Sequence, residues 1–230
     1  MNPMPPEVRL WRRDRRAELV ASRVALGAEE HHDRDAAITR LLIAAFPLLV
    51  RMTVGFYWPF NNEFDPRFAI RHWRDRGARA ALPVVVEKSA PLEFRAWWPG
   101  APMARGVYNL PFPDGTAILR PDALLIPPVG FDLRGFRLGY GGGYFDRTLA
   151  AMDPQPLKIG VGYELSRMPT IQPQPHDIPM DFIVTEAGVH VVGAGGLELL
   201  AAPASAGPVA EALVLQRTGG QPGVRGGRMP

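Results

Sequence analysis

The chain has no cysteine, which removes disulfides, thiolate nucleophiles and cysteine-based zinc sites from the chemistry open to it. It is also poor in lysine: Lys88 and Lys158 are the only two, so its positive charge is carried almost wholly by arginine. No apolar run approaches the roughly 18–20 residues of a membrane-spanning helix. The opening Met1-Asn2-Pro3-Met4-Pro5-Pro6 lacks the apolar core of a signal peptide. No internal repeat is visible. The one glycine cluster is not followed by Lys-Ser or Lys-Thr, so it is no Walker A loop, and its G-x-G-G-G spacing is not the Rossmann fingerprint. These absences leave a soluble, cytoplasmic globular protein as the expectation.

At 230 residues, 47% of them hydrophobic, the chain can build one domain with a buried core and still carry a tail. The net charge of +3 is modest. Arginine suits bidentate recognition of carboxylate or phosphate, although its abundance beside Ala, Gly and Pro also fits a simple compositional bias. The basic run from Arg9 to Arg16 could suggest a nucleic-acid surface. No aromatic–basic array or zinc-finger spacing accompanies it, and no nucleic-acid partner is expected.

Periodicity predicts a helix over 7–26, with Leu10, Ala17, Val20 and Val24 on one face and arginines around the rest. A second helix is predicted from Asp33, as cap, to Phe46, with Pro47 ending it. His31-His32 lies at its start and reads as exposed, with no third ligand to make a metal site. Val50, Met52, Val54 and Phe56 alternate as a strand, and Asp65-Pro66 opens a helix that ends near Gly77. Ala80 to Val86 reads as a buried strand and Phe94 to Trp97 as an edge strand. Ala123 to Ile126 reads as a central strand, Tyr144 to Met152 as a helix, and Leu157 to Tyr163, Phe182 to Thr185 and Val189 to Val192 as strands. Such alternation implies a layered αβα domain with a mostly parallel central sheet, an α/β fold, over residues 7–200. Residues 201–230 read as an Ala/Gly/Pro-rich flexible tail, with at most a short helix at 209–215.

The most informative stretch is Arg137-Leu138-Gly139-Tyr140-Gly141-Gly142-Gly143-Tyr144-Phe145-Asp146-Arg147. Glycines free backbone N–H groups to turn toward one point. Such a loop feeding a helix N-terminus favours an anion. Arg137 supplies a cationic fork on one side, and Asp146 on the other could hold Mg²⁺ against phosphate oxygens. A tight strand-to-helix turn without a ligand accounts for the glycines alone equally well.

The segment from Asp122 to Arg147 closely resembles the signature of the 5-formyltetrahydrofolate cyclo-ligase family, D-L-x-x-V-P-x-x-A-F-D-x-x-G-x-R-L-G-Y-G-G-G-Y-Y-D-R. Tyr57-Trp58-Pro59 with Glu63-Phe64-Asp65-Pro66, the stretch Gly77 to Pro83, and Leu165 to Pro169 with His176-Asp177, Met180-Asp181 and Thr185-Glu186 resemble further family elements. The likeness covers about residues 7–195. It implies ATP-driven cyclisation of 5-formyltetrahydrofolate to 5,10-methenyltetrahydrofolate, with ATP as co-substrate and Mg²⁺ as metal, in a monomer or weak oligomer. By the same resemblance, Arg137 to Phe145 (Arg137, Leu138, Gly139, Tyr140, Gly141, Gly142, Gly143, Tyr144, Phe145) would cradle the ATP phosphates, with Arg12 or Arg13 of the first helix assisting. Arg137 and Tyr144 would act at the reacting group, Trp58, Glu63 and Tyr144 would bind the folate, and Asp146 and Asp181 would hold Mg²⁺.

The chain departs from the family pattern in places. Phe145 stands where the second tyrosine of G-Y-Y-D is usual, and a glutamate common in the family is replaced within Val107 to Pro113. These changes leave room for a paralogue that binds ATP and acts on another substrate, and the Arg-rich first helix leaves room for a nucleic-acid or regulatory binding module. His176-Asp177 invites a catalytic pair but reads more simply as turn chemistry in a proline-rich loop.

Overall fold

The computed structural model describes residues 4–219. Eight strands form the main sheet: β1 (Thr53–Gly55), β2 (Arg79–Val84), β3 (Glu93–Trp97), β4 (Ala123–Ile126), β5 (Leu157–Val161), β6 (Phe182–Thr185), β7 (Gly188–Gly193) and β8 (Gly196–Leu199). Their spatial order is β8-β7-β6-β5-β4-β1-β2-β3. The five strands from β6 to β2 run parallel, and antiparallel partners close both ends. This is the expected αβα architecture.

The period-2 pattern of β4 shows why. Ala123 and Leu125 enter one apolar cluster, with Leu42, Phe46, Ile70 and Trp73. Leu124 and Ile126 enter a second, with Phe131, Leu149 and Ile183. A strand buried on both faces is continuously apolar, so helices must cover both sides. α2 (Ala28–Ala45), α3 (Arg67–Arg74) and α5 (Ala206–Thr218) cover the first face, and α4 (Tyr144–Ala151) the second. In α3, Ala69, Ile70 and Trp73 turn inward while Phe68 stays exposed. The chain leaves β1 toward β2 on one side and continues through β4 and β5 on the other. The carboxyl ends of β1 and β4 therefore flank a switch point, where α/β sheets bind ligands.

Several boundaries move. α2 begins at Ala28 behind Gly27, a full turn before Asp33. The predicted alternating strand at 50–56 splits into a 3₁₀ turn, Pro47–Arg51, and the short, wholly buried β1. β8 was not predicted.

Two corrections reach further. The first helix, α1 (Pro6–Val24), buries Arg12 and Arg23, while Leu10 and Val24 of its supposed inner face stand about half exposed. α1 lies over the charged half of a cavity and not over the core, so Arg12, Arg16 and Arg23 face inward. The tail also holds more structure than its composition suggests. α5 spans Ala206–Thr218, buries Ala206 and Ala210, and ties Arg217 to Asp181. Residues 220–230, the rest of the predicted tail, lie outside the described residues.

Candidate active site

A cavity of about 420 Å³ opens at the carboxyl ends of β1, β2 and β4. One half is apolar: Tyr57, Trp58, Leu82, Val84, Leu92, Leu110 and Phe112 line it. The other half is charged, built from Arg12, Arg16, Arg137, Asp146, Asp177 and the loop 139–143.

The charged half is assembled by turn chemistry. Buried Asp132 accepts hydrogen bonds from the N–H groups of Arg134 (3.0 Å), Phe136 (3.1 Å) and Ile171 (3.0 Å). That fixes a hairpin between Gly130–Asp132 and Arg137–Leu138 and points Arg137 into the cavity. Arg137 is 5% exposed, yet its Nε and Nη2 have no hydrogen-bond partner, although Nη2 lies 3.1 Å from Asp146 Oδ2. Its guanidinium sits 5.5 Å above the Phe145 ring. Gly141 (φ +98°) and Gly143 (φ +64°) adopt backbone that a side chain would strain, and Gly143 caps α4. The orphan N–H groups of the first turn of α4 therefore adjoin the arginines.

α1 contributes three arginines from one face, at positions 12, 16 and 23. Arg12 pairs with Asp177 and also donates to the carbonyls of Ile171 (3.0 Å) and Gln172 (3.2 Å). Asp177 itself accepts from the Gln174 N–H at 2.7 Å, the turn role expected of it. Arg16 donates from Nε to the Gly139 carbonyl at 2.6 Å. Burial and neighbouring Arg12 hold its pKa below the usual arginine value, partly offset by Asp177. Arg23 donates to the Asn61 carbonyl (2.9 Å) and to the Tyr140 hydroxyl (2.6 Å).

Glu63 stands on the turn after β1, 5% exposed. Its Oε2 accepts from the Phe60 N–H at 3.0 Å, and its Oε1 has no hydrogen-bond partner, with Arg23 3.9 Å away. Burial pushes its pKa up to about 7, with Arg23 and the Phe60 N–H pulling the other way. The turn is fastened to α2: the Asp65 N–H donates to Asp35, and His31 Nε2 lies 3.0 Å from the Tyr163 hydroxyl and 3.3 Å from the Asn62 carbonyl. His31 is thus engaged, not exposed as the sequence suggested. Trp58 is half-buried in the cavity wall under the guanidinium of Arg67, 4.7 Å from its ring.

Of the residues singled out in the sequence, Arg12, Trp58, Glu63, Arg137, Gly139 to Phe145 and Asp146 line this one cavity. Three do not. Arg13 is largely exposed and pairs with Asp14, because it lies about 100° around the helix from Arg12. Leu138 is buried beneath the loop, where its carbonyl accepts from the Val129 N–H. Asp181 precedes β6, at the opposite edge of the sheet, and is held by Lys158 (3.0 Å) and Arg217 (2.8 Å). No cluster of three or more metal-ligating side chains occurs among the described residues. Arg16 and Arg23 were missed. The signal was the 12–16–23 spacing, obscured because Arg9, Arg13 and Arg15 crowd the same half of α1.

Residues 8–186 match the profile of the 5-formyltetrahydrofolate cyclo-ligase family. The chain is 28% identical over 174 residues to the 5-formyltetrahydrofolate cyclo-ligase of Escherichia coli, covering 73% of this chain and 96% of that one. Its fold is similar to the NMR structure of Aquifex aeolicus 5,10-methenyltetrahydrofolate synthetase, with a TM-score of 0.70 and 25% identity over 80% of this chain and 94% of that one. It is also similar to the Mycoplasma pneumoniae 5,10-methenyltetrahydrofolate synthetase, with a TM-score of 0.63 and 26% identity over 76% and 98% of the two chains.

Proposed function

The chain belongs to the 5-formyltetrahydrofolate cyclo-ligase family, and we propose that it closes 5-formyltetrahydrofolate to 5,10-methenyltetrahydrofolate at the expense of ATP. One observation carries the reading: two buried, oppositely charged groups lacking hydrogen-bond partners, the Arg137 guanidinium and Glu63 Oε1, face the same cavity. Buried polar atoms left unpaired are costly, so a ligand that brings an anion to one and N–H donors to the other removes both penalties. A phosphate-bearing nucleotide suits Arg137, and a pterin edge suits Glu63, with the apolar wall from Trp58 to Phe112 taking flat rings.

The chemistry follows from the weakness of a formamide oxygen as a leaving group. That oxygen attacks the terminal phosphorus of ATP; an O–P bond forms and the bridge to ADP breaks. N10 then attacks the resulting iminium phosphate carbon, the C–O bond breaks, phosphate departs, and the N10 proton is lost to solvent. Transfer of this kind depends on positioning and charge neutralisation. Arg137 and Arg16 would neutralise the phosphoryl oxygens, the loop N–H groups would orient them, and Glu63 and Trp58 would hold the pterin. Mg²⁺, when bound, would neutralise phosphate charge. Asp146, which lines the charged half beside Arg137, would hold it, which suits an ion ligated mainly by phosphate and water.

The test is growth of the methenyl absorbance band in the near ultraviolet from purified protein, 5-formyltetrahydrofolate and Mg²⁺, with and without ATP. ATP-dependent growth, abolished in Asp146→Asn, is expected. ATP binding without any band would point to another substrate and to the altered wall at Val107 to Phe112.

A further inference from the structure

The Glu63 turn and the glycine loop are bridged by one guanidinium, beside the ring contact of Phe60 with Tyr140. Arg23, 4% exposed, donates from Nε to the Asn61 carbonyl in the Glu63 turn and from Nη2 to the Tyr140 hydroxyl in the glycine loop. Its Nη1 lies 3.5 Å from the Pro128 carbonyl, beyond β4. The Glu63 turn is tight: Asn61 and Asn62 both hold left-handed backbone, and Phe60 and Glu63 hydrogen-bond each other. The Tyr140 hydroxyl also faces the Glu63 carboxylate. Tyr140 is 47% exposed, and its ring leans on Phe60 at 6.0 Å. Among the described residues one carboxylate lies within 4.0 Å of Arg23, that of Glu63 at 3.9 Å.

Resting on the proposed reading of the cavity, we infer that Arg23 is a positioning residue which, through Tyr140, couples folate binding at Glu63 to nucleotide binding at the glycine loop. A ligand that donates to Glu63 Oε1 orders the 60–63 turn and with it the Asn61 carbonyl. That carbonyl orients the Arg23 fork, and the fork holds Tyr140 and the backbone on either side of it. The ordering cost falls on the first ligand, so the second binds a loop already arranged. Thermodynamic reciprocity requires the same factor in both directions. Neither Arg23 nor the Tyr140 hydroxyl needs to touch the reacting atoms.

The experiment is calorimetric titration of 5-formyltetrahydrofolate with and without a non-hydrolysable β,γ-imido analogue of ATP, and the reverse titration, in the unaltered protein, Tyr140→Phe and Arg23→Lys. Tyr140→Phe removes the hydroxyl that Arg23 bonds and keeps the ring against Phe60; a lysine cannot serve three acceptors in a fork. Each ligand is expected to tighten the other by roughly tenfold in the unaltered protein. In Tyr140→Phe that factor should fall toward one, whatever the change in each affinity measured alone. A merely structural role would lower the single affinities and leave the factor intact. Independent binding in the unaltered protein, or a full factor in Tyr140→Phe, would overturn the coupling and spare the functional reading. Failure of the unaltered protein to bind either ligand would overturn both.

Discussion

The carboxylate of Asp181 accepts a hydrogen bond from each terminal nitrogen of Arg217, both at 2.8 Å, so α5 is fastened to the amino-terminal edge of the sheet. Lys158 adds an ion pair at 3.0 Å and a backbone N–H bond at 2.8 Å to the same carboxylate. Asp181 was expected to hold Mg²⁺; in the fold its carboxylate is taken up by Arg217 and Lys158, as a latch between helix and sheet.

Removing the latch should cost stability and leave turnover intact. Arg217→Ala is expected to destabilise the fold by about 1–2 kcal/mol, because Lys158 still compensates Asp181. Asp181→Asn leaves two cations facing an amide and should cost about 3 kcal/mol. Urea denaturation beside the absorbance assay checks both. A Mg²⁺-dependent loss of nucleotide affinity in a stably folded Asp181→Asn protein would contradict the assignment.

Glu63 makes stability depend on pH. Its carboxyl titrates near 7 in the folded chain, against an ordinary value of 4.5. Between those values the folded state binds more protons than the unfolded one, so this group's contribution falls as pH rises from about 4.5 to 7. Glu63→Gln removes the slope and should be the more stable protein by up to roughly 3 kcal/mol at pH 8, with little difference at pH 4.5. The same variant should lose folate affinity. Unfolding curves of both proteins at the two pH values decide it, and a difference independent of pH would mean that Glu63 titrates normally.

Arg16 and Arg137 should differ in what their loss does. Arg16→Gln can still donate to the Gly139 carbonyl but carries no charge. About a tenfold loss of ATP affinity and a shallower salt dependence are expected, in line with one charge-assisted hydrogen bond. Arg137→Lys keeps the charge without the fork, and kcat should fall by roughly 10²-fold or more, as when a preorganised transition-state donor is removed. Steady-state kinetics at two ionic strengths separate the two. Equal losses in kcat for both would assign Arg16 to the reacting phosphoryl as well.

Much of the molecule could be read from spacing along the chain. The strands at Ala123 to Ile126 and Phe182 to Thr185 have the predicted limits, and the helix after the glycines begins at Tyr144 as expected. Those signals are local: a strand's apolar run, a glycine at positive φ, an anion-favouring helix start. The orientation of α1 was misread, because amphipathicity assumes that the inward face meets a core. Here it meets a charged cavity, so Arg12, Arg16 and Arg23 turn in while Leu10 and Val24 turn out.

By itself the sequence determined the layered sheet, the anion-favouring loop and the presence of Arg137 and Asp146 beside it, since each rests on residue type and neighbours a few positions away, while Glu63 came from the family resemblance. The tertiary structure alone decided which charges meet. Arg12 finds Asp177 across 165 residues, and Arg23 reaches Tyr140 across 117. A carboxylate such as Asp181 becomes a latch or a metal ligand according to the cations placed beside it. That placement depends on how the sheet and helices pack, which no spacing along the chain encodes.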